Sequence, residues 1–165
     1  MAKNTIGIDI SDASIEAVAL EKKKGHFEVE AYSRFRLSPD IVEDGKIIDV
    51  LKLKEAIAKM LQNAQPHSME KYRRVILSVP ESRVFSKVFS LPKNLKDKEI
   101  IEAVYNQAEG AIPDSFDNLI STFKLLPEKN GIREVLFFAS PIEILKDLAG
   151  AFRSLNMEVE AIVPE

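Results

Sequence analysis

Apolar and polar residues alternate from Thr5 to Ile10 and again from Ser14 to Glu21, with the polar link Ser11-Asp12-Ala13-Ser14 at the join. A period of two with β-branched residues predicts strands with one buried face, and the short link predicts a hairpin. After the turn Lys23-Lys24-Gly25, the strict alternation of Phe27-Glu28-Val29-Glu30-Ala31-Tyr32 predicts a third antiparallel strand. Lys22, Lys23 and Lys24 at the hairpin tip read as a solvated turn.

Beyond Pro39 and the turn Asp44-Gly45 the period lengthens. Asp49 is placed to cap a helix carrying Leu53, Ile57, Met60, Leu61 and Ala64 on one face. Gln65 to Lys71, with Pro66, reads as a loop. Arg74 to Val79 and Arg83 to Leu91 are strand-like runs joined at Pro80-Glu81-Ser82. Asn94 is the expected cap of a second helix, in which Ile100, Ile101, Val104, Ala108 and Ala111 repeat near 3.6 residues and Ile112-Pro113 mark the end. Asn118 to Leu126 and Glu134 to Ser140 read as strands around the turn Glu128-Lys129-Asn130-Gly131. Pro141 suits the first turn of a third helix bearing Ile142, Leu145, Leu148, Phe152 and Leu155. Met157 to Glu165 reads as a strand opening a new element.

This order predicts an α/β (α+β) fold: an opening three-stranded antiparallel unit, then a mixed-sheet module with helices on one face. The expected division is residues 1–72 (three strands and a helix), 73–157 (the module, folding on its own) and 158–165 (a return to the first part).

Composition narrows the function. With 165 residues and 45% hydrophobic content the chain can build a core. Charged residues make up 30% and the net charge is −3, which predicts no basic groove for nucleic acid. The absence of cysteine excludes disulfides, thiolate metal sites and cysteine nucleophiles, and suits a reducing compartment. No apolar run reaches a membrane-spanning length, and Met1 to Asn4 lacks the apolar stretch of a signal peptide. A cytoplasmic location is expected, with recruitment to a membrane through a partner.

No catalytic set and no metal site is expected. His26 and His67 lie far apart with no carboxylate at ligand spacing, which also removes a Ser-His-Asp triad. Phe85, Phe89, Phe123, Phe137 and Phe138 recur at strand positions without a basic stripe and read as core packing rather than as platforms for nucleobases.

The opening hairpin carries the one candidate for ligand chemistry. Ile6-Gly7-Ile8-Asp9-Ile10 followed by Ser11-Asp12-Ala13-Ser14 resembles the start of actin-like folds. In that superfamily the turn wraps phosphate, and the strand-end aspartate faces the metal-water shell. Asp9, Ser11, Asp12, Ala13 and Ser14 are therefore the candidate cofactor-binding residues for ATP with magnesium. The same residues also suit an ordinary turn, because Asp and Ser side chains bond to nearby backbone.

Later segments sharpen the resemblance. Val75 to Pro80 with Ser82, Val84, Lys87 and Leu91-Pro92 resembles the strand pair that precedes the inserted subdomain's helix in PilM-like type IV pilus assembly proteins. Gln107-Ala108-Glu109-Gly110-Ala111-Ile112-Pro113 is similar to that family's Glu-Ala-Glu-x-x-Ile-Pro helix end, and Glu134-Val135-Leu136-Phe137-Phe138-Ala139 to its central strand. Asn156-Met157-Glu158-Val159 stands where the family has an Ala-Gly-Leu-x-like turn.

The resemblance implies a cytoplasmic scaffold of type IV pilus assembly or the related type II secretion machinery, akin in fold to actin, Hsp70 and FtsA. Such a protein holds the N-terminal tail of an inner-membrane PilN-like partner where subdomain IA meets the inserted subdomain IC. Tyr32 to Leu37 and Val84 to Leu91 are then the candidate strands, with strand addition at an exposed edge as one mode. An FtsA-like cell-division protein that anchors or polymerises at the membrane, and a sugar-kinase-like or ATPase enzyme of the superfamily, are the alternative readings, with self-association as a further expectation. Residues 1–72 would be an incomplete IA and 73–157 an IC-like module, with the second phosphate loop and the adenosine pocket lying past residue 165.

Two departures weaken the ATP expectation: Ser11 stands where PilM-like turns carry glycine, and Glu16 where they carry lysine. Glycine permits close backbone approach, and a carboxylate for a lysine replaces attraction by repulsion of about 1 kcal/mol at 4 Å in water. The chain is expected not to be an enzyme and to bind Mg-ATP no better than millimolar.

Overall fold

The computed structural model describes residues 5–112, 114–127 and 132–164; the expected turn at 128–131, the helix-ending Pro113 and the first four residues lie outside them. Strands β1 (Thr5–Ile10), β2 (Ser14–Lys23) and β3 (His26–Arg36) pair antiparallel in sequence order, giving the expected opening unit. The alternation decides the faces: Ile6, Ile8 and Ile10 are buried on one side of β1, and Gly7 and Asp9 lie on the other. At the β2–β3 tip, Lys24 (φ 44°) and Gly25 (φ 95°) take left-handed conformations, as a tight hairpin turn needs.

A two-residue hairpin follows, β4 (Val42–Glu43) and β5 (Lys46–Ile47), turned by Asp44 (φ 48°) and Gly45 (φ 68°). Helix α1 (Val50–Gln62) begins at Asp49, whose carboxylate accepts the Lys52 N–H at 3.0 Å. It buries Leu53, Ala56, Ile57, Met60 and Leu61, and it lies against β2 and β3. The Ser33 hydroxyl on β3 donates to the Met60 carbonyl at 2.8 Å, tying the helix's last turn to the sheet.

Strand β6 (Arg74–Val79) does not pair with the run that follows it. It runs parallel to β1, with Thr5 opposite Arg74 and Ile8 opposite Leu77. The last strand, β10 (Glu158–Pro164), adds parallel to β6, so one five-stranded sheet has the order β10-β6-β1-β2-β3. Helix α3 (Ile142–Arg153) precedes β10 and buries Ile144, Leu148, Ala149, Ala151 and Phe152. Its end turns through Asn156 (φ 58°), and the Met157 N–H donates to the Phe152 carbonyl at 3.1 Å. Asparagine tolerates this left-handed region better than most residues with a side chain.

The second unit is continuous. Strands β7 (Phe85–Leu91), β8 (Leu119–Leu125) and β9 (Arg133–Pro141) form an antiparallel sheet in the order β7-β9-β8, with helix α2 (Asp97–Glu109) between β7 and β8 in sequence. Its core joins Phe89 and Leu91, Ile100, Val104 and Ala108, and Val135, Phe137 and Ala139. Phe85 and Phe123 pack at its margin, as expected. Phe138 points from the opposite face of β9, between Ser86 and Thr122, because neighbouring strand residues face opposite ways. The expected Asn94 cap is displaced two residues: Lys96 occupies the cap and its N–H donates to Glu99 at 2.7 Å. Leu95 and Ile100 then flank the helix start in one core, a hydrophobic staple that fixes it there.

The division therefore differs from the one the sequence suggests. The chain resolves into one unit of residues 1–82 with 144–165 and another of 83–143. Residues 73–82 and 144–157, expected in the inserted module, belong to the first unit because β6 finds its parallel partner in β1. A short apolar run such as Arg74–Val79 carries no mark of which sheet it joins.

A charged cluster fastens β3 to the loop before β6. Glu30 meets Lys71 at 3.2 Å and His67 at 3.6 Å, beside the buried ring of Tyr72. The neighbouring Tyr72 hydroxyl, though it meets no hydrogen-bond geometry, acts with Lys71 and His67 to hold the Glu30 carboxyl below its ordinary value. A depressed carboxyl stabilises the fold above the ordinary carboxylate range, and that contribution is lost as pH falls through the folded value. Stability measured by urea titration over roughly pH 5 to 3 should thus fall more steeply in the native chain than in Glu30→Gln. Parallel curves would remove Glu30 from the acid response. Burial, then Glu30, pushes the Tyr72 phenol up to about 12.

Candidate functional site

The β1–β2 turn is closed from within. The Ser11 N–H donates to the Ser14 carbonyl at 2.9 Å, and the Ser11 hydroxyl lies 3.1 Å from the same oxygen and accepts the Ser14 N–H at 3.2 Å. The two hydroxyls are 3.3 Å apart, and that of Ser14, a buried residue, donates to Glu16 at 3.3 Å. The Ala13 carbonyl accepts the Leu37 N–H at 2.9 Å. Asp12 reaches outward: its two carboxylate oxygens accept the N–H groups of Asp44 and Gly45, each at 2.9 Å. This clasp pins the β4–β5 turn over the β1–β2 turn. Ser11, Asp12 and Ala13 line a cavity of about 360 Å³ together with Asp44, Gly45, Pro80 and Ser82.

Asp9 stands apart from that cavity. It lies on the face of the five-stranded sheet opposite Ile6, Ile8 and Ile10, accepts a hydrogen bond from the Ser78 hydroxyl on β6, and faces Glu16 across the β1–β2 pair. Glu16 pairs with Arg34 at 3.1 Å and does not line the turn cavity. These residues border a second depression, of about 490 Å³, whose floor is Gly7, Val18 and Ile76 with Tyr32 and Val163 at its sides. The five candidate residues are thus divided: Ser11, Asp12 and Ala13 on the turn cavity, Ser14 buried beneath it, and Asp9 on the open face.

The model of the family described as type IV pilus assembly protein PilM matches residues 7–163. The chain belongs to that family.

Two solved structures, the first two below, share the fold. A chain of the PilM–PilN type IV pilus biogenesis complex aligns at a TM-score of 0.82 and 18% identity, over 98% of this chain and 47% of that one. The cytoplasmic domain of EpsL, an inner-membrane component of the type II secretion system of Vibrio cholerae, aligns at 0.62 and 12% identity, over 98% and 57%. A protein of actin-like ATPase fold from Bacteroides thetaiotaomicron aligns at 0.46 and 12% identity, over 98% and 52%. The chain spans about half the length of these matched chains.

Within this PilM-family fold the two candidate peptide strands differ. Tyr32 has its backbone N–H and carbonyl bonded to Gln65, both at 2.8 Å, and the Leu37 N–H is bound to Ala13, so the expected strand Tyr32 to Leu37 has part of its edge closed. Strand β7 is an outer strand of its sheet, paired with β9 alone among the described residues, and Val84 immediately precedes it. The histidines do have carboxylate neighbours, contrary to expectation: His26 meets Glu28 at 2.9 Å and His67 lies near Glu30. Each carboxylate also pairs with a lysine, and no cluster of three metal-ligating side chains occurs among the described residues.

Sequence reasoning missed the partners that set the site's chemistry: Asp44 and Gly45 for Asp12, Ser78 for Asp9, Arg34 for Glu16. The Asp44-Gly45 dipeptide was legible as a turn, but nothing local indicated that its amides would bind Asp12. No helix of the described residues is long and apolar enough to cross a membrane.

Proposed function

We propose that this chain is a non-enzymatic scaffold segment of pilus assembly that holds the N-terminal tail of an inner-membrane PilN-like protein on the cytoplasmic side. The family match over residues 7–163 carries the reading, and the likeness to a chain of the PilM–PilN complex supports it. Unpaired along one side among the described residues, β7 offers backbone donors and acceptors for an added strand, and Val88, 48% exposed, offers an apolar contact beside them. The experiment is a fluorescence titration with the cytoplasmic N-terminal peptide of the cognate PilN against a scrambled peptide, with amide exchange read along β7. Saturable binding of the native peptide alone, with new protection in β7, is the expected result. Equal binding of both peptides overturns the reading, and FtsA-like self-association then becomes the better account.

The turn supports the same reading from another side. In the superfamily its residues would hold the phosphates of Mg-ATP, yet here the Ser11 and Ser14 hydroxyls bond each other and Glu16, while Asp12 is spent on the β4–β5 turn. Phosphate would have to break those bonds and enter beside the Asp12 carboxylate that lines the turn cavity. Calorimetric titration of this chain with Mg-ATP should show a dissociation constant no tighter than roughly millimolar, a binding free energy near −4 kcal/mol. A micromolar constant would return the chain to the nucleotide-binding class.

A further inference from the structure

The β2–β3 hairpin runs on past the core of its own unit. Ala19 and Ala31 are its last buried pair, and the four pairs beyond them, Leu20–Val29, Glu21–Glu28, Lys22–Phe27 and Lys23–His26, are exposed. At the usual rise per residue they make a two-stranded arm of about 13 Å. Side chains alternate along the arm, and the alternation sorts them by chemistry. One face carries Glu21, Lys23, His26 and Glu28, where Lys23 meets both carboxylates at 3.1 Å and His26 meets Glu28 at 2.9 Å. The other carries Leu20, Val29, Phe27 and Lys22, with Lys24 at the turn. Leu20, Val29 and Phe27 are 50%, 60% and 66% exposed, and Lys22 Nζ lies 6.0 Å from the centre of the Phe27 ring. Both carboxylates of the arm are thus engaged on the first face, and the apolar face holds cations alone.

We propose that this arm rests its apolar face on an anionic lipid surface, with Leu20, Phe27 and Val29 at the boundary of headgroups and acyl chains and Lys22 and Lys24 against lipid phosphates. Charge selects this occupant. An apolar protein surface would bury the Lys22 ammonium without a partner, which is costly. A headgroup layer supplies phosphates at the depth where the acyl chains begin, and a lysine stem follows apolar surface while its ammonium stays among polar groups. The chain carries a net charge of −3, so two lysines set on one apolar face are a local feature and not a share of a basic surface. An arm of this size makes a weak, reversible contact, suited to orienting a chain at a membrane rather than to anchoring it alone. Neither β7 nor a partner peptide takes part, so the proposal stands or falls separately from the partner-tail reading.

The chain has no tryptophan, so Phe27→Trp places a single reporter on the apolar face. The probes are vesicles of phosphatidylcholine alone and vesicles with an equal share of phosphatidylglycerol, with sedimentation of the native chain measured alongside. Blue-shifted emission, quenching by lipids brominated near the headgroup, and co-sedimentation are expected with the anionic vesicles only. Lys22→Gln combined with Lys24→Gln should weaken binding on the order of twentyfold, about fivefold for each lysine. Raising salt from about 0.1 M should weaken it as well, since screening shortens the reach of both charges. Leu20→Ser combined with Val29→Ser should weaken it at an unchanged unfolding midpoint, because both side chains are exposed in the free chain. Failure of the native chain to bind anionic vesicles overturns the proposal, as does binding that either double variant leaves unchanged. A shift that appears without lipid and grows as the mass doubles with concentration overturns it too, and assigns the face to a second copy.

Discussion

Phe137→Ala should remove about 3–5 kcal/mol from the unit of residues 83–143, enough to unfold it under conditions in which the rest of the chain stays native. Phe137 is fully buried at the centre of β9, and its ring meets those of Phe85, Phe89, Tyr105 and Phe116 at centroid distances of 5.9 to 6.5 Å. Truncation would take away the burial of one large ring and four aromatic contacts, and the strands on either side of β9 cannot close the space without breaking their registers. The measurement is thermal or urea unfolding followed by amide exchange, with α2 and β7 to β9 expected to lose protection together. A loss below about 1 kcal/mol would place Phe137 at a surface.

Phe152→Ala should cost a similar 3–5 kcal/mol, but in the other unit. Phe152 is fully buried on α3, and its carbonyl receives the Met157 N–H that turns the chain into β10. The pair of variants separates the two divisions of the chain. If α3 belonged to a module of residues 73–157, both substitutions would lower the same transition. With α3 in the unit that contains β1 and β6, Phe152→Ala destabilises the five-stranded sheet and leaves residues 83–143 protected. Loss of protection in α2 on Phe152→Ala would restore the larger module.

Local signals account for what the sequence made legible. Helix α1 was readable because Asp49 caps it and the apolar stripe Leu53, Ile57, Met60, Leu61 has one period throughout. Strands β1 to β3 were readable because turn residues separate strictly alternating runs. Non-local pairing was not: Arg74 to Val79 reads equally well as a hairpin partner of Phe85 to Leu91 or as the parallel neighbour of β1. That ambiguity moved the unit boundary. At the site the residue types were evident, but their partners come from distant positions: Asp44 lies 32 residues from Asp12, and Ser78 lies 69 from Asp9. Whether a turn serine bonds a ligand or its neighbour is settled by geometry that residue type does not encode.

The placement of β10 also sets an order of assembly. Arg74 pairs with Glu158 and Glu160, and the Thr5 hydroxyl donates to Glu160 across a sequence separation of 155 residues. The five-stranded sheet therefore cannot close until residues 158–164 have left the ribosome, whereas residues 83–143 hold all their strands and their helix in one continuous stretch and can fold while those residues are still to be made. Through that interval the outer edge of β6 waits unpaired with its apolar run Val75-Ile76-Leu77, a template for the wrong strand. Slow translation or a chaperone engaged between residues 82 and 158 would guard this edge, and the yield of native chain should depend on that interval more than on final stability.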